Sequence, residues 1–328
     1  MTSKRKGTFI ISLDTEYAWG RIADKEQSLF YECYENTKDA IDEILLCFKE
    51  YQVRVTWAIV GRLVDNGDKK HVFFHEDLSN FFDGITNRGI YKSDVLNKRT
   101  GSYISDISLI KRIRDSGVNH EIGTHTYNHI FYNSIDDKSV IERDLRASIE
   151  VLSNDEFVIE SMVFTKNQIR HKDILAKCGI RAYRGPYIEK YTRYNRRLRK
   201  VLQAIDSFLP TSPKLVKARI INNDLVEIPG SMLYRKGHYG MRKYQSLNIL
   251  TQKVISGLNK AAKDKGILHI WFHPYNFGYR TREHISGLSK ILSHARELED
   301  KGLIDISTMG EMARRLRLDS KTSNSKIE

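Results

Sequence analysis

Residues Thr8–Glu16, TFIISLDTE, decide how the rest of the chain reads. Phe9, Ile10, Ile11 and Leu13 form a short apolar run without the polar alternation of a half-exposed strand, so it reads as a buried strand. Two carboxylates, Asp14 and Glu16, stand at its end. Such a strand needs helical cover, and the next segment supplies it: Thr37–Tyr51 places Ile41, Ile44, Leu45 and Phe48 at helical spacing. Val53–Val60 is again β-branched and strand-like.

The alternation continues outward. Asp106–Ser116 and Lys138–Leu152 read as helices, with His120–Thr124 a short strand between them. Ser161–Thr165, Arg181–Tyr183 and Leu225–Ile228 are further strand candidates. Asn248–Lys263 and His284–Lys301 are helical and flank the strand Ile267–Phe272, ILHIWF. Leu303–Ile306 is a last strand, and Ser307 is placed to cap a final helix. Strands alternating with helices imply an α/β fold of parallel strands, either a barrel or a doubly wound sheet. Residues 66–103 break the rhythm and read as an insertion after the second strand, and the polar tail 319–328 reads as disordered, leaving one domain over 1–318.

The chain has 328 residues and a net charge of +13, which favours anionic partners without choosing among them. No recognised nucleic-acid motif accompanies the charge, so nucleic acid is not expected. The start, Met1–Gly7, is short and basic and lacks the apolar stretch of a secretory signal, and no apolar run approaches membrane-spanning length. Cys33, Cys47 and Cys178 are too few and too widely spaced for a disulfide framework. The expectation is a cytoplasmic protein.

Four sets of reactive side chains stand at or just after strand ends, the functional face of parallel α/β folds. Asp14 and Glu16, two residues apart, share a side of an extended chain, so one can bind a metal while the other stays free as a base. His125 and His129, in GTHTYNH, are spaced to reach one ion. Arg184, in YRGPY, enters what Gly185 and Pro186 suggest is a sharp turn and offers a planar fork to a carboxylate. His273 follows the apolar strand ILHIWF at a Pro274 stop and reads as an acid–base group or a core residue; His269, within that strand, reads as a core histidine. Each set has a plainer reading, respectively a solvated acidic loop, surface histidines, a structural salt bridge and packing.

Taken in order, DxE, HTxxH, RGPY and a late His-Pro resemble the polysaccharide deacetylases, the NodB-homology or family 4 carbohydrate esterases. The resemblance runs from about Thr8 to Met312. It is nearest to a subgroup linked with O-antigen and capsule synthesis, which has segments similar to SLDTEYAWG, VFTKNQ, VEIPGS and IWFHPYNFG. It implies a deformed, seven-stranded (β/α) barrel. The departure from the family pattern is Thr15, which stands where adjacent aspartates are usual and moves the second carboxylate to Glu16.

The resemblance further implies a divalent metal on Glu16, His125 and His129, with Zn²⁺ expected and Co²⁺, Ni²⁺ or Fe²⁺ also suited to such ligands. Asp14 would be the base, Arg184 its orienting partner, the backbone N–H of Tyr187 an oxyanion donor, and His273 the acid that protonates the leaving amine. Trp19, Asn276 and Asn167 lie beside the motifs as candidates for contact with the sugar. The expected substrate is an N-acylated, above all N-acetylated, sugar. Rival readings are a deformylase or cyclic-imide amidase of the same fold, and an inactive carbohydrate-binding relative.

One further segment is distinctive. Lys190–Lys200, KYTRYNRRLRK, includes Arg193, Arg196 and Arg197, and Leu198, Val201, Leu202 and Ile205 follow at helical spacing. It reads as an amphipathic helix with a basic face. The plain reading is a solvated surface. The functional one is attraction of a nucleotide- or polyprenyl-diphosphate-linked sugar, with peripheral membrane contact.

Overall fold

The computed structural model describes residues 5–21, 30–66, 101–153, 156–187, 189–236 and 243–324. Strand β1, Gly7–Thr15, is buried along its whole length and sits at the centre of the sheet. It pairs in parallel with β2, Thr56–Ile59, on one edge and with β9, Ile267–Phe272, on the other, and its first residues also pair with β10, Ile304–Ile306. β3 is Glu121–Thr124, β4 Ser161–Met162, β5 Ala182–Tyr187 and β7 Val226–Gly230. The short β6, Arg219–Ile220, is antiparallel to β7.

Beyond Gly230 the chain passes through Ser231 into β8, Met232–Leu233, which pairs in parallel with β9. The segment from β7 to β8 therefore pairs with β5 at its beginning and β9 at its end. The sheet curls back on itself, and the expected α/β fold with a deformed barrel is what the chain forms.

Helices cover this sheet. Helix α1, Thr37–Tyr51, buries Ile41, Ile44, Leu45 and Phe48, the residues whose spacing predicts it. α2, Lys138–Ser153, buries Val140, Ile141, Leu145 and Leu152 on one stripe. α3 is Arg196–Ser207, α4 Leu247–Asp264, α5 Thr281–Asp300 and α6 Met309–Asn324. The apolar faces of α1, α2, α4 and α5 pack with Phe9, Ile11 and Leu13 of β1 and Leu268, Ile270 and Phe272 of β9 in one core, while Ile10 and Ile267 on the other face join Met309, Met312 and Ala313 of α6 in a second.

Three local expectations need correction. YRGPY is not a sharp turn: Arg184, Gly185 and Pro186 lie inside β5, with a bulge between Gly185 and Tyr187. The glycine is needed because a Cβ there would lie 2.6 Å from Glu227 Cγ and 3.2 Å from Pro229 Cα of β7. The cap of α6 is Thr308, not Ser307. Thr308 Oγ1 accepts from the Glu311 N–H at 3.3 Å, and Glu311 Oε2 accepts from the Thr308 N–H at 3.0 Å, a reciprocal capping box. The helix runs through Asp319 to Asn324, into the segment expected to be a disordered tail, and 325–328 lie outside the described residues. The expected insertion lies almost wholly outside them as well, apart from Asn66 and a helical turn at Gly101–Ile104.

Candidate active site

The C-terminal ends of β1, β3, β5 and β9 bring the four motifs together. Asp14 Oδ1 and Oδ2 accept from Arg184 Nη1 at 2.5 Å and Nη2 at 2.6 Å, a two-point fork between buried groups. The other edge of the guanidinium is held by Asn167, whose Oδ1 accepts from Nε at 3.2 Å and Nη2 at 3.1 Å. Arg184 Nη1 also donates to Ser12 Oγ at 3.3 Å, and Ser12 lies 2.9 Å from His269 Nε2. His269 Nδ1 is 3.1 Å from the Pro229 carbonyl, and burial pushes the ring down to about 3, so it is the neutral, satisfied core histidine expected. Trp271 closes the stack, with the Arg184 guanidinium 4.9 Å from its ring centre.

Glu16 is committed elsewhere. Its Oε2 lies 3.1 Å from His125 Nε2 and 2.9 Å from His129 Nε2. One ligand atom from each residue falls within 4.8 Å of the others, and all three side chains are buried. His125 Nδ1 is 2.7 Å from the Val163 carbonyl. That carbonyl can only accept, so Nδ1 carries a proton, and in the neutral ring the Nε2 lone pair faces the Glu16 oxygen. Two lone pairs directed at each other in a buried space call for a positive charge between them, either a proton on Nε2 or a metal ion in its place.

Charge arithmetic agrees. Asp14 and Arg184 cancel, and Glu16 leaves one negative charge that a buried site cannot carry cheaply, to be met by a proton on His125 or by a metal ion in its place. Carboxylate and imidazole donors of this kind fit a divalent ion such as Zn²⁺.

His273 Nε2 stands between the two carboxylates, 3.3 Å from Glu16 Oε1 and 3.8 Å from Asp14 Oδ2. Its Nδ1 is buried with no hydrogen-bond partner among the described residues. Burial lowers the basicity of His273 and of His129, against the pull of the nearby carboxylates. Burial also lowers His125, but its bond to Glu16 and the Asp14 charge carry it above the ordinary imidazole range. Burial raises Asp14 and Glu16, yet Arg184 holds Asp14 below the usual carboxylate range, and the histidines hold Glu16 well below it.

The backbone around the site is unusual. Thr126 at φ 66°, His129 at φ 56°, Lys166 at φ 50° and Asn167 at φ 54° are all left-handed without being glycine. Such residues cost of order ~1 kcal/mol each and persist where the surroundings enforce them. The left-handed turn at His129 brings its ring to 5.1 Å from that of His125.

What enforces the loop is Asp144, on the buried stripe of α2. Its carboxylate accepts the backbone N–H groups of Tyr127 and Asn128 at 3.0 Å, the Asn128 side chain at 3.0 Å and the Tyr132 hydroxyl at 3.1 Å. The motif reading missed this residue, although an aspartate among Val140, Ile141, Leu145 and Leu152 is a visible anomaly. It also missed Gly20, where a Cβ would lie 1.8 Å from Glu16 Oε1 and displace that carboxylate.

Asp144→Ala is expected to leave several buried donors unsatisfied, costing about 3 kcal/mol of stability and weakening metal binding by roughly 10–100-fold. Calorimetry and metal titration measure both, and unchanged metal affinity in a folded variant would remove Asp144 from the site. Burial pushes the Asp144 carboxyl up to about 6 despite its donors. Its unfolded value is about 3.9, so its contribution to stability is largest below that value and falls as pH rises through this window.

Several expected contacts are placed differently. Trp19 is 4% exposed, with its indole N–H donating to the Ile104 carbonyl at 2.9 Å, so it is a packed residue and not a platform for a sugar. Asn276 is fully buried, with neither side-chain heteroatom bonded among the described residues, and offers no surface to a hydroxyl. Asn167 serves Arg184 before any substrate. Tyr187 is 44% exposed and packs edge-on against Trp271, with ring centres 5.5 Å apart. These two rings border a cavity of about 400 Å³ also lined by Lys190, Gln203, Asp206 and Lys253. Arg193, Arg196 and Arg197 face solvent and are not part of that lining.

Comparison with known proteins agrees with the motif reading. Residues 24–155 match the family model "Polysaccharide deacetylase". That segment holds His125, His129 and Asp144. A Mycobacterium smegmatis protein assigned to the polysaccharide deacetylases superposes with a TM-score of 0.60 at 13% identity, over 98% of this chain and 93% of that one. A Pseudomonas aeruginosa PAO1 protein with the same assignment gives 0.57 at 11%, over 94% and 89%. Puue allantoinase gives 0.56 at 12%, also over 94% and 89%. At these identities the likeness is one of fold. No curated protein matches the chain in sequence. The resemblance to polysaccharide deacetylases and their barrel fold is borne out.

Proposed function

We propose that this chain is a metal-dependent hydrolase that removes an N-acyl group, above all acetyl, from an amino sugar. The observation that carries the reading is the division of labour between the two carboxylates. Glu16 faces two histidines and Asp14 is forked by Arg184, with His273 Nε2 within 3.8 Å of both. A binding scaffold has no need of two buried carboxylates in such different settings.

Glu16, His125 and His129 would hold the ion, with Zn²⁺ the first choice and Co²⁺, Ni²⁺ or Fe²⁺ able to replace it. When bound, it supplies Lewis acidity that polarises the acyl carbonyl and acidifies water. Asp14 takes the proton of the attacking water, and Arg184 keeps its carboxylate ionised and aimed. The Tyr187 N–H, at the irregular end of β5, donates to the developing oxyanion. His273 delivers a proton to the departing amine, without which an amide C–N bond breaks slowly.

The similarity of SLDTEYAWG, VFTKNQ, VEIPGS and IWFHPYNFG to the O-antigen and capsule subgroup supports a place in surface-polysaccharide synthesis. The substrate would then be a sugar on a nucleotide or polyprenyl diphosphate. A cyclic amide is the second reading, favoured by the fold shared with an allantoinase.

The test is acetate release from free, nucleotide-linked and lipid-linked N-acetyl sugars by Zn²⁺-loaded protein. Formate release or ring opening without any acetate would reassign the substrate. In the same assay His273→Ala should lower kcat on the amide by roughly 10²–10⁴, and less on an ester with a good leaving group. Equal losses on both would make His273 structural.

A further inference from the structure

Helix α3 is amphipathic, but its apolar stripe points the wrong way for packing. Leu198, Val201 and Ile205 are 42%, 54% and 53% exposed, and no residue of the helix is buried. Their spacing of three and then four puts them on one face. The helix is tied to the body through Asp206, which lies about a quarter turn round from Ile205 and whose Oδ1 accepts from Lys190 at 2.9 Å and Tyr191 at 3.0 Å, and whose Oδ2 accepts from Lys253 at 2.8 Å. The orientation is therefore fixed, and the apolar row faces outward by construction. Leu209, just past the helix, extends it at 46% exposed.

The rest of the exposed side is basic, with Arg197 bordering the apolar row and Lys200 and Arg196 further round the helix. Arg196, Arg197 and Lys200 are all exposed, and none has an acidic partner among the described residues. Arg193, just before the helix, is exposed as well, with its guanidinium 5.0 Å from the Tyr194 ring. From Lys190 to Leu209 there are six basic residues against one acid, Asp206. A solvated helix would gain nothing from an outward row of leucine, valine and isoleucine. A protein groove would cover the row but has no general need of a fully basic flank. An anionic bilayer satisfies both stripes at once, with acyl chains taking the apolar row and headgroup phosphates the arginines and the lysine.

We infer that α3 is an in-plane anchor that holds the protein on an anionic lipid surface. This is surface association, because no helix among the described residues is long and apolar enough to cross a membrane. The inference goes beyond the proposed chemistry and does not depend on it. Its geometric consequence is that Gln203, Asp206 and Ser207 on the inner face line the cavity bordered by Tyr187 and Trp271. Lipid on one side of α3 and the cavity on the other are thus about one helix diameter apart, roughly 10 Å.

The experiment is co-sedimentation of the full chain with vesicles of mixed phosphatidylglycerol and phosphatidylcholine, and with phosphatidylcholine alone. Binding is expected to the anionic vesicles only, and to weaken as salt is raised. The double variant Val201→Asp, Ile205→Asp should lower partitioning by about tenfold or more, as should Arg196→Gln, Arg197→Gln, Lys200→Gln. All five positions are solvent-exposed and outside the catalytic set, so unchanged melting and unchanged hydrolysis of a free sugar act as folding controls. Wild-type protein that stays in the supernatant with anionic vesicles would overturn the inference, as would variants that bind like wild type. A solution dimer split by the Val201→Asp, Ile205→Asp pair would overturn it too, by assigning the face to a second copy of the chain.

Discussion

His125→Ala and His129→Ala each lose bound metal and hydrolysis together. One ligand atom from each ring and one from Glu16 lie within 4.8 Å of one another, and each histidine offers one of the three proposed ligand atoms. Removing an outer partner of a ligand costs roughly 10–100-fold in affinity, so removing a ligand itself should cost more. Elemental analysis after dialysis reads the occupancy, and acetate release reads the activity. Full occupancy in both variants would falsify the ligand assignment. Activity lost with the metal retained would make the histidines part of the proton chemistry instead.

Asp14→Asn has the opposite signature. The metal stays, because Glu16 and the histidines are untouched, while turnover falls by roughly 10²–10⁴ because an amide cannot take the proton from water. Glu16→Ala should instead weaken metal binding, and the reverse pattern would show the two carboxylates exchanged. The Asp14 variant also leaves Arg184 buried without its counter-charge, which costs on the order of 3–5 kcal/mol. A melting curve must therefore accompany the kinetics. The wild-type pair carries a pH signature of its own. Burial raises Asp14, but Arg184 overcomes this and holds it below the usual carboxylate range. Its stabilisation is complete above the unfolded value of about 3.9 and is lost as pH falls through the lower folded value.

The sequence is informative wherever one residue's chemistry is enough to mark it. TFIISLD and ILHIWF are buried runs that any parallel sheet would accept, and β1 and β9 form at those places. The DxE pair, the two histidines, Arg184 and His273 are reactive side chains at strand ends, and the fold collects them. What local pattern does not carry is direction. Whether Trp19 or Asn276 faces a cleft or the core depends on turns whose φ values no motif reveals. The Gly-Pro pair resembles a turn because the strand it meets, β7, is known only from the folded chain. Asn167 was legible as a strand-end polar group, but its commitment to Arg184 follows from a left-handed backbone that sequence does not announce. The same limit applies to α3: its periodicity is plain, but nothing in it says that the apolar side turns outward.

The central place of β1 governs how the chain emerges from the ribosome. Glu16, His125 and His129 all precede Arg184 and His273 in the chain, so the proposed ligands are synthesised before them, along with β2 and β3. The other edge of β1 waits for β9, which begins at Ile267. Arg184 and His273, the proposed partner of the base and the proposed acid, also arrive later. From His129 until His273 is made, the nascent chain carries the proposed ligand triad without its proposed acid, and an apolar strand with one edge uncovered. Such an edge invites pairing with other chains. The step that removes the hazard, docking of β9, is the same step that brings His273 to the two carboxylates.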